Sequence, residues 1–290
     1  MSPRMMLFAV MAAWLPGGCL MFAGAASAQT IDPQPPPVDL RSGANFLPTK
    51  VYSEEDDRKT LELFTGLRVA DVSDGMDRAG LADTGLVAAE IAPLWRDTEH
   101  YAHRFAGIAV TARYVPTNNP TPGRRTKTED FDQWVGQWYA KLSPEPFVPL
   151  LRKGSVMVIE EAEAADVGSI GSNNILGWQL RGCVGVVTSG TARDTDEIAA
   201  QRVPLYYKQP GRGIRPGRNE IESVNRPVVV GGVTVMPGDV IVADGDGVIV
   251  VPRAAAEEVA QYARTTLEGD KSGRQKLYEK LGLPPDDSVK

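Results

Sequence analysis

The stretch from Gly168 to Asp194 constrains the fold more than any other part of the sequence. It reads as loop, helix, strand, loop. Gly171, Ser172, Asn173 and Asn174 are small or polar and open the helix. The free N–H groups of its first turn, together with the helix dipole, form a ready site for an anion. Gly182 ends the helical stretch. Val184-Gly-Val-Val-Thr188 is a short apolar run suited to a buried strand. Ser189-Gly-Thr-Ala follows, then Arg193-Asp194. A guanidinium can grip a carboxylate bidentately, and a neighbouring aspartate can hold a hard divalent cation. One crevice is thus expected to combine a helix start, a guanidinium and a metal ligand.

Four motifs in order carry a resemblance. They are Val69-Ala-Asp-Val-Ser-Asp-Gly-Met-Asp-Arg-Ala-Gly80, the stretch Gly182 to Glu197, the valine-rich stretch Pro227 to Pro252, and Arg264 with Glu268. Together they resemble the RraA-like family, which includes the class II 4-hydroxy-4-methyl-2-oxoglutarate aldolases. The likeness runs from about Ser53 to Leu283. It implies an α/β fold, an αββα sandwich of the swivelling β/β/α type, as a single domain with a long C-terminal helix. It also implies a homotrimer or homohexamer with its site between neighbouring subunits. In the aldolases a divalent metal, usually magnesium, binds a pyruvate-like enolate.

Carried onto this chain, the resemblance implies that Arg193 grips a carboxylate or carbonyl oxygen. Gly171 and the amides at Asn173 and Asn174 support the substrate carboxylate. Asp194 holds Mg²⁺ or Mn²⁺, and Glu268 of an adjacent subunit completes the metal site through water. Catalytic roles fall to Arg193 and to the position of Ser172. At that position the aldolases carry an acidic residue, and a serine hydroxyl is a weak acid or base without a partner. Asp166, Glu160 and Glu161 are the substitute proton carriers. The implied function is a divalent-metal-dependent carbon–carbon lyase acting on a small 2-oxo acid such as 4-hydroxy-4-methyl-2-oxoglutarate or oxaloacetate. The alternative is a non-catalytic periplasmic binder of a small carboxylic acid on the same scaffold.

The first 28 residues read as a signal peptide. Arg4 supplies the positive start, Met5 to Phe22 is apolar apart from Pro16-Gly-Gly18, and Ala26-Ser-Ala28 fits a cleavage site. The expected destination is the periplasm, with no membrane attachment after cleavage. Residues 29–52 form a proline-rich arm, and residues 53–290 form the domain. Cleavage would remove Cys19 and leave Cys183 as the only thiol, a small buried hydrophobe at a strand start. The chain carries a formal charge of −6. With no long basic run, that argues against a nucleic-acid partner.

The remaining features admit plainer readings. Ser53 followed by acids caps a helix reaching about Phe64. Val72, Met76 and Ala79 form one core stripe of a second helix ending at Gly80, and Asp71, Asp74 and Asp77 on it form a solvated or capping face. His100 and His103 belong to a strand edge or a loop. Gly107 to Tyr114 is a core strand. Residues 116–149 form an insertion in which Phe131, Trp134 and Trp138 share a helical face; it is a packed flap or subunit contact, or a lid over the substrate. Glu160-Glu-Ala-Glu163 reads as a solvent-facing loop. The arginines Arg212, Arg215 and Arg218 lie in a glycine-rich loop, either a flexible surface or a ring of charge near an anion. Four valine-rich strands follow, with Asp244-Gly-Asp-Gly247 as a hairpin turn rather than a calcium loop. Arg253 to about Leu267 reads as a last helix, with Ala255, Val259, Tyr262 and Ala263 on one side, and a polar tail follows.

Overall fold

The computed structural model describes residues 50, 52–119, 127–161 and 166–289. The expected signal peptide and nearly all of the proline-rich arm lie outside the described residues. Helices α1 (Glu54–Phe64) and α2 (Val69–Arg78) precede β1 (Ala92–Pro93) and the long β2 (Phe105–Pro116). Helix α3 (Thr128–Lys141) stands in the insertion, and β3 (Ser155–Glu161), α4 (Ser172–Gln179), β4 (Cys183–Thr188) and β5 (Thr191–Ala192) follow. Next come α5 (Thr195–Ala200), β6 (Leu205–Tyr207), β7 (Gln209–Pro210), β8 (Asn219–Val224), β9 (Val228–Val230) and β10 (Val233–Val235). Strands β11 (Val240–Asp244) and β12 (Gly247–Val251) lead to α6 (Ala256–Leu281).

The main sheet runs β1-β6-β4-β3-β2-β11-β12, with β8 also on β2. Strands β2, β3, β4 and β6 are mutually parallel, and the flanking pairs are antiparallel. The twelve residues of β2 let β11 pair with its first half and β8 with its second half on the same edge. The ends of the order, β1 and β12, lie against each other, so the sheet nearly closes. Alternation along the strands sorts the side chains. Val156 and Val158 face the inside of the curved sheet with Phe105, Tyr206 and Val250. Met157 and Ile159 face a second core beneath α4 and α5, with Ile175, Trp178 and Ile198. A third core lies where α2 and α6 cover Ile108, Val240, Val242 and Val251. Each such buried side chain contributes about 1.5–3 kcal/mol.

Helix starts fall where the sequence places them. Ser53 caps α1 in a reciprocal box with Asp56. On α2, Asp71 is fully buried, capping its own helix and pairing with Arg68, while Asp74 and Asp77 are exposed. A second acid serves α2 from a distance: Asp244, in the β11–β12 hairpin turn, accepts the Val69 amide at 2.9 Å. His103 is buried in the loop before β2, where Nδ1 accepts the Asp97 amide at 3.0 Å. Cys183 is buried at the start of β4, and burial pushes its thiol pKa up.

Three expectations need correction. Helix α6 outruns its apolar stripe. Its buried residues stop at Leu267, yet the helix continues to Leu281 and ends at Gly282 in the left-handed region, φ 66°. Good helix formers such as Gln275, Lys276, Leu277 and Glu279 carry the last turns without a core face. Next, the acids after Ile159 are not a solvent-facing loop: Glu160 and Glu161 continue β3, and Glu161 is buried. The pairing of Arg113 and Tyr114 with these two residues draws them into the sheet. Finally, the glycine-rich loop is not a free surface throughout, and its three arginines differ in burial. Arg215 is only 2% exposed and serves as an interior strut, whereas Arg212 and Arg218 are exposed.

Candidate functional site

The C-terminal ends of parallel strands are the usual ligand-binding edge of an α/β sheet. Here β3 and β4 end beside the start of α4, and the Arg193-Asp194 turn follows β5. Two backbone links hold the turn against the loop that leads into α4. Ile170 pairs with Ala192 as an isolated bridge, and the Arg193 amide donates to the Ile170 carbonyl at 2.8 Å. Asp194 takes a left-handed conformation, φ 56° and ψ 38°, which aspartate tolerates better than most residues. That turn swings its carboxylate back onto α4. Oδ2 accepts the Ser172 amide at 3.0 Å and the Ser172 hydroxyl at 3.3 Å.

The closeness depends on two glycines. A Cβ at Gly171 would meet Asp194 Oδ2 at 2.7 Å, and one at Gly168 would meet the Arg193 Cβ at 2.6 Å. The Gly171 backbone, with φ −120°, is ordinary, so crowding rather than torsion requires the glycine. Asn174 caps the helix by accepting the Gly171 amide on Oδ1 at 3.1 Å. The amides of Asn173 and Asn174 receive no acceptor from the described residues. Arg193 is about 40% exposed, with Nε 3.6 Å from Asp194 Oδ1. The crevice beside it has a volume of about 400 Å³ and is lined by Arg193, Asp194, Asp196, Glu197, Gly211 and Arg212, while the α4 start adjoins it only through Asp194. Asp166 lies at its rim, where the Arg212 side chain and amide hold its carboxyl below the usual range.

The fold therefore brings together Gly171, Ser172, Asn174, Arg193 and Asp194, with Asn173 exposed on the same helical turn. It does not bring Glu268 to them. That residue is exposed on α6, which packs on α1 and α2, and it makes no contact with Arg193 or Asp194 within the chain. Among the described residues no cluster of three or more metal-binding side chains forms. A larger groove, about 790 Å³, lies between α1 and the starts of β2 and β3, and none of the site residues lines it.

Two supporting groups draw on partners that the sequence reading did not join. The first is the buried set Glu161, Ser169 and Asn219 behind the α4 loop. Glu161 Oε1 accepts from the Ser169 hydroxyl and from Asn219 Nδ2, while Oε2 has no partner among the described residues. Burial lifts this carboxyl above the ordinary glutamate range. The second is Glu145 with Arg215. The sequence signal for Glu145 was present: a lone acid between two prolines, in Ser143-Pro-Glu-Pro-Phe147, next to an aromatic segment.

Comparison with known proteins follows this geometry. The family model described as "RraA-like: Aldolase/RraA" matches residues 69–250, more than half of the chain. The chain belongs to the RraA-like family. Over 130 residues it is 31% identical to a Halalkalibacterium halodurans protein named "Putative 4-hydroxy-4-methyl-2-oxoglutarate aldolase", a match covering 44% of this chain and 60% of that one. Over 193 residues it is 28% identical to protein DlpA of Legionella pneumophila, covering 66% of this chain but 27% of that one. The chain thus spans less than two thirds of the length of these relatives. Among solved structures, an uncharacterized protein from Pseudomonas syringae pv. tomato aligns with a TM-score of 0.58 at 26% identity, over 78% of this chain and 94% of that one. Streptomyces coelicolor RraAS2 aligns with a TM-score of 0.60 at 20% identity, over 76% of this chain and 98% of that one. That second likeness is one of fold, and it includes the mixed α/β RraA-like architecture expected from the motifs.

Proposed function

We propose that this RraA-like chain is a divalent-cation-dependent carbon–carbon lyase acting on a small 2-oxo acid such as oxaloacetate or 4-hydroxy-4-methyl-2-oxoglutarate. One observation carries the reading: Arg193 and Asp194 are folded back onto the start of α4 beside two unclaimed amides. Relatives named for aldolase activity support it. Cleaving a bond next to a 2-oxo group leaves negative charge on the carbonyl oxygen, and positive charge placed there lowers the barrier. Arg193 supplies a guanidinium that can bind that oxygen or the carboxylate. The amides of Asn173 and Asn174 can receive the carboxylate at the positive end of the helix.

Asp194 fits a hard cation as one ligand. Its oxygens are hard donors, its side chain is about one third exposed, and Oδ1 accepts no hydrogen bond among the described residues, with Arg193 Nε 3.6 Å away. The other ligands would be waters and Glu268 of an adjacent subunit in a homotrimer or homohexamer. When bound, Mg²⁺ or Mn²⁺ supplies positive charge beside the substrate's carbonyl oxygen. Ser172 Oγ, fixed by its contact with Asp194, can hold a water at the mouth of the crevice.

A second reading has its own observation. The Ser172 hydroxyl lies within hydrogen-bond reach of Asp194, and the one other acid bonded to the first turn of α4, Glu145, is engaged by the Asn174 side chain. A site built this way suits a non-catalytic binder of small carboxylic acids. The test is pyruvate release from oxaloacetate by the purified mature protein with Mg²⁺ or Mn²⁺. Wild type should be active, and Arg193→Ala folded but slower by about 10²–10³. Activity that survives this change would overturn the site. Binding of oxaloacetate with metal but without cleavage would establish the binder. Export to the periplasm is part of the proposal, and N-terminal sequencing of the mature protein checks it against the expected start near Gln29.

A further inference from the structure

We propose that Glu145 and the buried Arg215 form a strap through which the insertion sets the position of the α4 start, making both of them positioning residues for ligand binding at the Asp194 crevice. The inference rests on the reading of that crevice given above. Glu145 lies just after α3, in the insertion, and its carboxylate accepts three donors. These are Asn174 Nδ2 at 2.7 Å, Trp178 Nε1 at 2.9 Å and Arg215 Nη2 at 3.0 Å. Two of the donors stand on α4, one in its first turn and one a turn later.

Arg215 closes the other side. Its Nε donates to the Ser169 carbonyl at 2.8 Å, and its guanidinium lies over the Tyr114 ring, 4.7 Å from the centroid. Nη1 reaches the Tyr114 hydroxyl at 3.2 Å and the Ser143 carbonyl at 3.4 Å. Ser169 and Asn174 bracket Gly171 and Ser172. The segment that receives Asp194 is therefore held at both ends by one ion pair. A charged pair this deep is worthwhile only when every donor and acceptor is engaged, and here Arg215 is engaged on all three nitrogens.

A residue that only fills the core changes how much protein folds. One that orients binding amides changes substrate affinity in the protein that has folded. The experiment compares full-length wild type, Glu145→Gln and Trp178→Phe in two measurements. One is steady-state oxaloacetate cleavage with Mg²⁺. The other is amide hydrogen exchange across residues 168–179. For Glu145→Gln the expected result is a KM raised about tenfold, from weakened charge-assisted bonds, with kcat changed by less than about threefold. Exchange should quicken in 168–179 while the β2–β3 core stays protected. Trp178→Phe, which removes a single donor and leaves the ion pair, should show the same pattern more weakly. A lowered kcat at unchanged KM, or unchanged exchange in 168–179, would overturn the strap. If the wild type cleaves no 2-oxo acid, the lyase reading fails while the exchange measurement still decides the strap. If Glu145→Gln does not fold, Trp178→Phe decides it.

Discussion

The carboxylate of Asp194 rests on the backbone amide of Ser172, 3.0 Å from nitrogen to Oδ2, twenty-two residues away in the chain. The protein's own aspartate thus takes the first amide of α4, and the next two have no acceptor among the described residues. The contact needs Gly171 to have no side chain. Gly171→Ala is therefore expected to push the carboxylate aside by several tenths of an ångström or more. Backbone torsion would tolerate the alanine, so the chain should still fold. Mn²⁺ binding measured by electron paramagnetic resonance should weaken in the variant by about tenfold, as expected for a displaced charged ligand. Equal Mn²⁺ affinity in the two proteins would remove Asp194 as a ligand.

Asp244 serves structure where a calcium loop might be imagined. Its Oδ2 accepts the Val69 amide at the start of α2 and its Oδ1 accepts the Asp246 amide within the turn, at 2.9 and 2.8 Å. Asp244→Ala should cost about 1–2 kcal/mol, the worth of a helix cap. A lower urea midpoint checks this. Added Ca²⁺ should leave the wild-type midpoint where it is.

Glu161 gives the protein a pH dependence of definite sign. Burial raises its pKa in the folded chain above the ordinary value of 4.5. The folded state then binds the proton more tightly than the unfolded state does. Its contribution to stability is present at low pH and is lost as pH rises from the ordinary value through the raised one. Asp239, also raised by burial, acts in the same direction. Glu161→Gln keeps an acceptor for Ser169 and Asn219 without the titration. The variant should gain stability relative to wild type as pH rises from 4.5 through the raised pKa of Glu161. A difference in urea midpoint that stays constant over that range would show that the Glu161 carboxyl does not titrate there.

Much of the fold was legible in sequence because it rests on local rules. The cap at Ser53, the stripe of Val72 and Met76, the turn at Asp244-Gly-Asp-Gly247 and the valine strands each declare themselves within a few residues. So does the crevice turn, since Arg193-Asp194 directly follows a strand in a recognisable motif. Glu161 was misread because charge normally marks a surface, and Glu145 carried no reading of its own. Their burial depends on partners far away: Asn219 lies 58 residues from Glu161, and Arg215 lies 70 residues from Glu145.

The sequence by itself determined the α/β class, the family, the order of elements and the helix start that faces Arg193. Spacing, caps and apolar alternation act over short distances and can be read one segment at a time. Only the tertiary structure decided that Asp194 turns back onto Ser172, that Glu145 and Arg215 meet in the interior, and that Glu268 stays away from Arg193 within one chain. Such relations follow from sheet curvature and loop closure, which bring together residues whose separation along the chain says nothing of their distance in space.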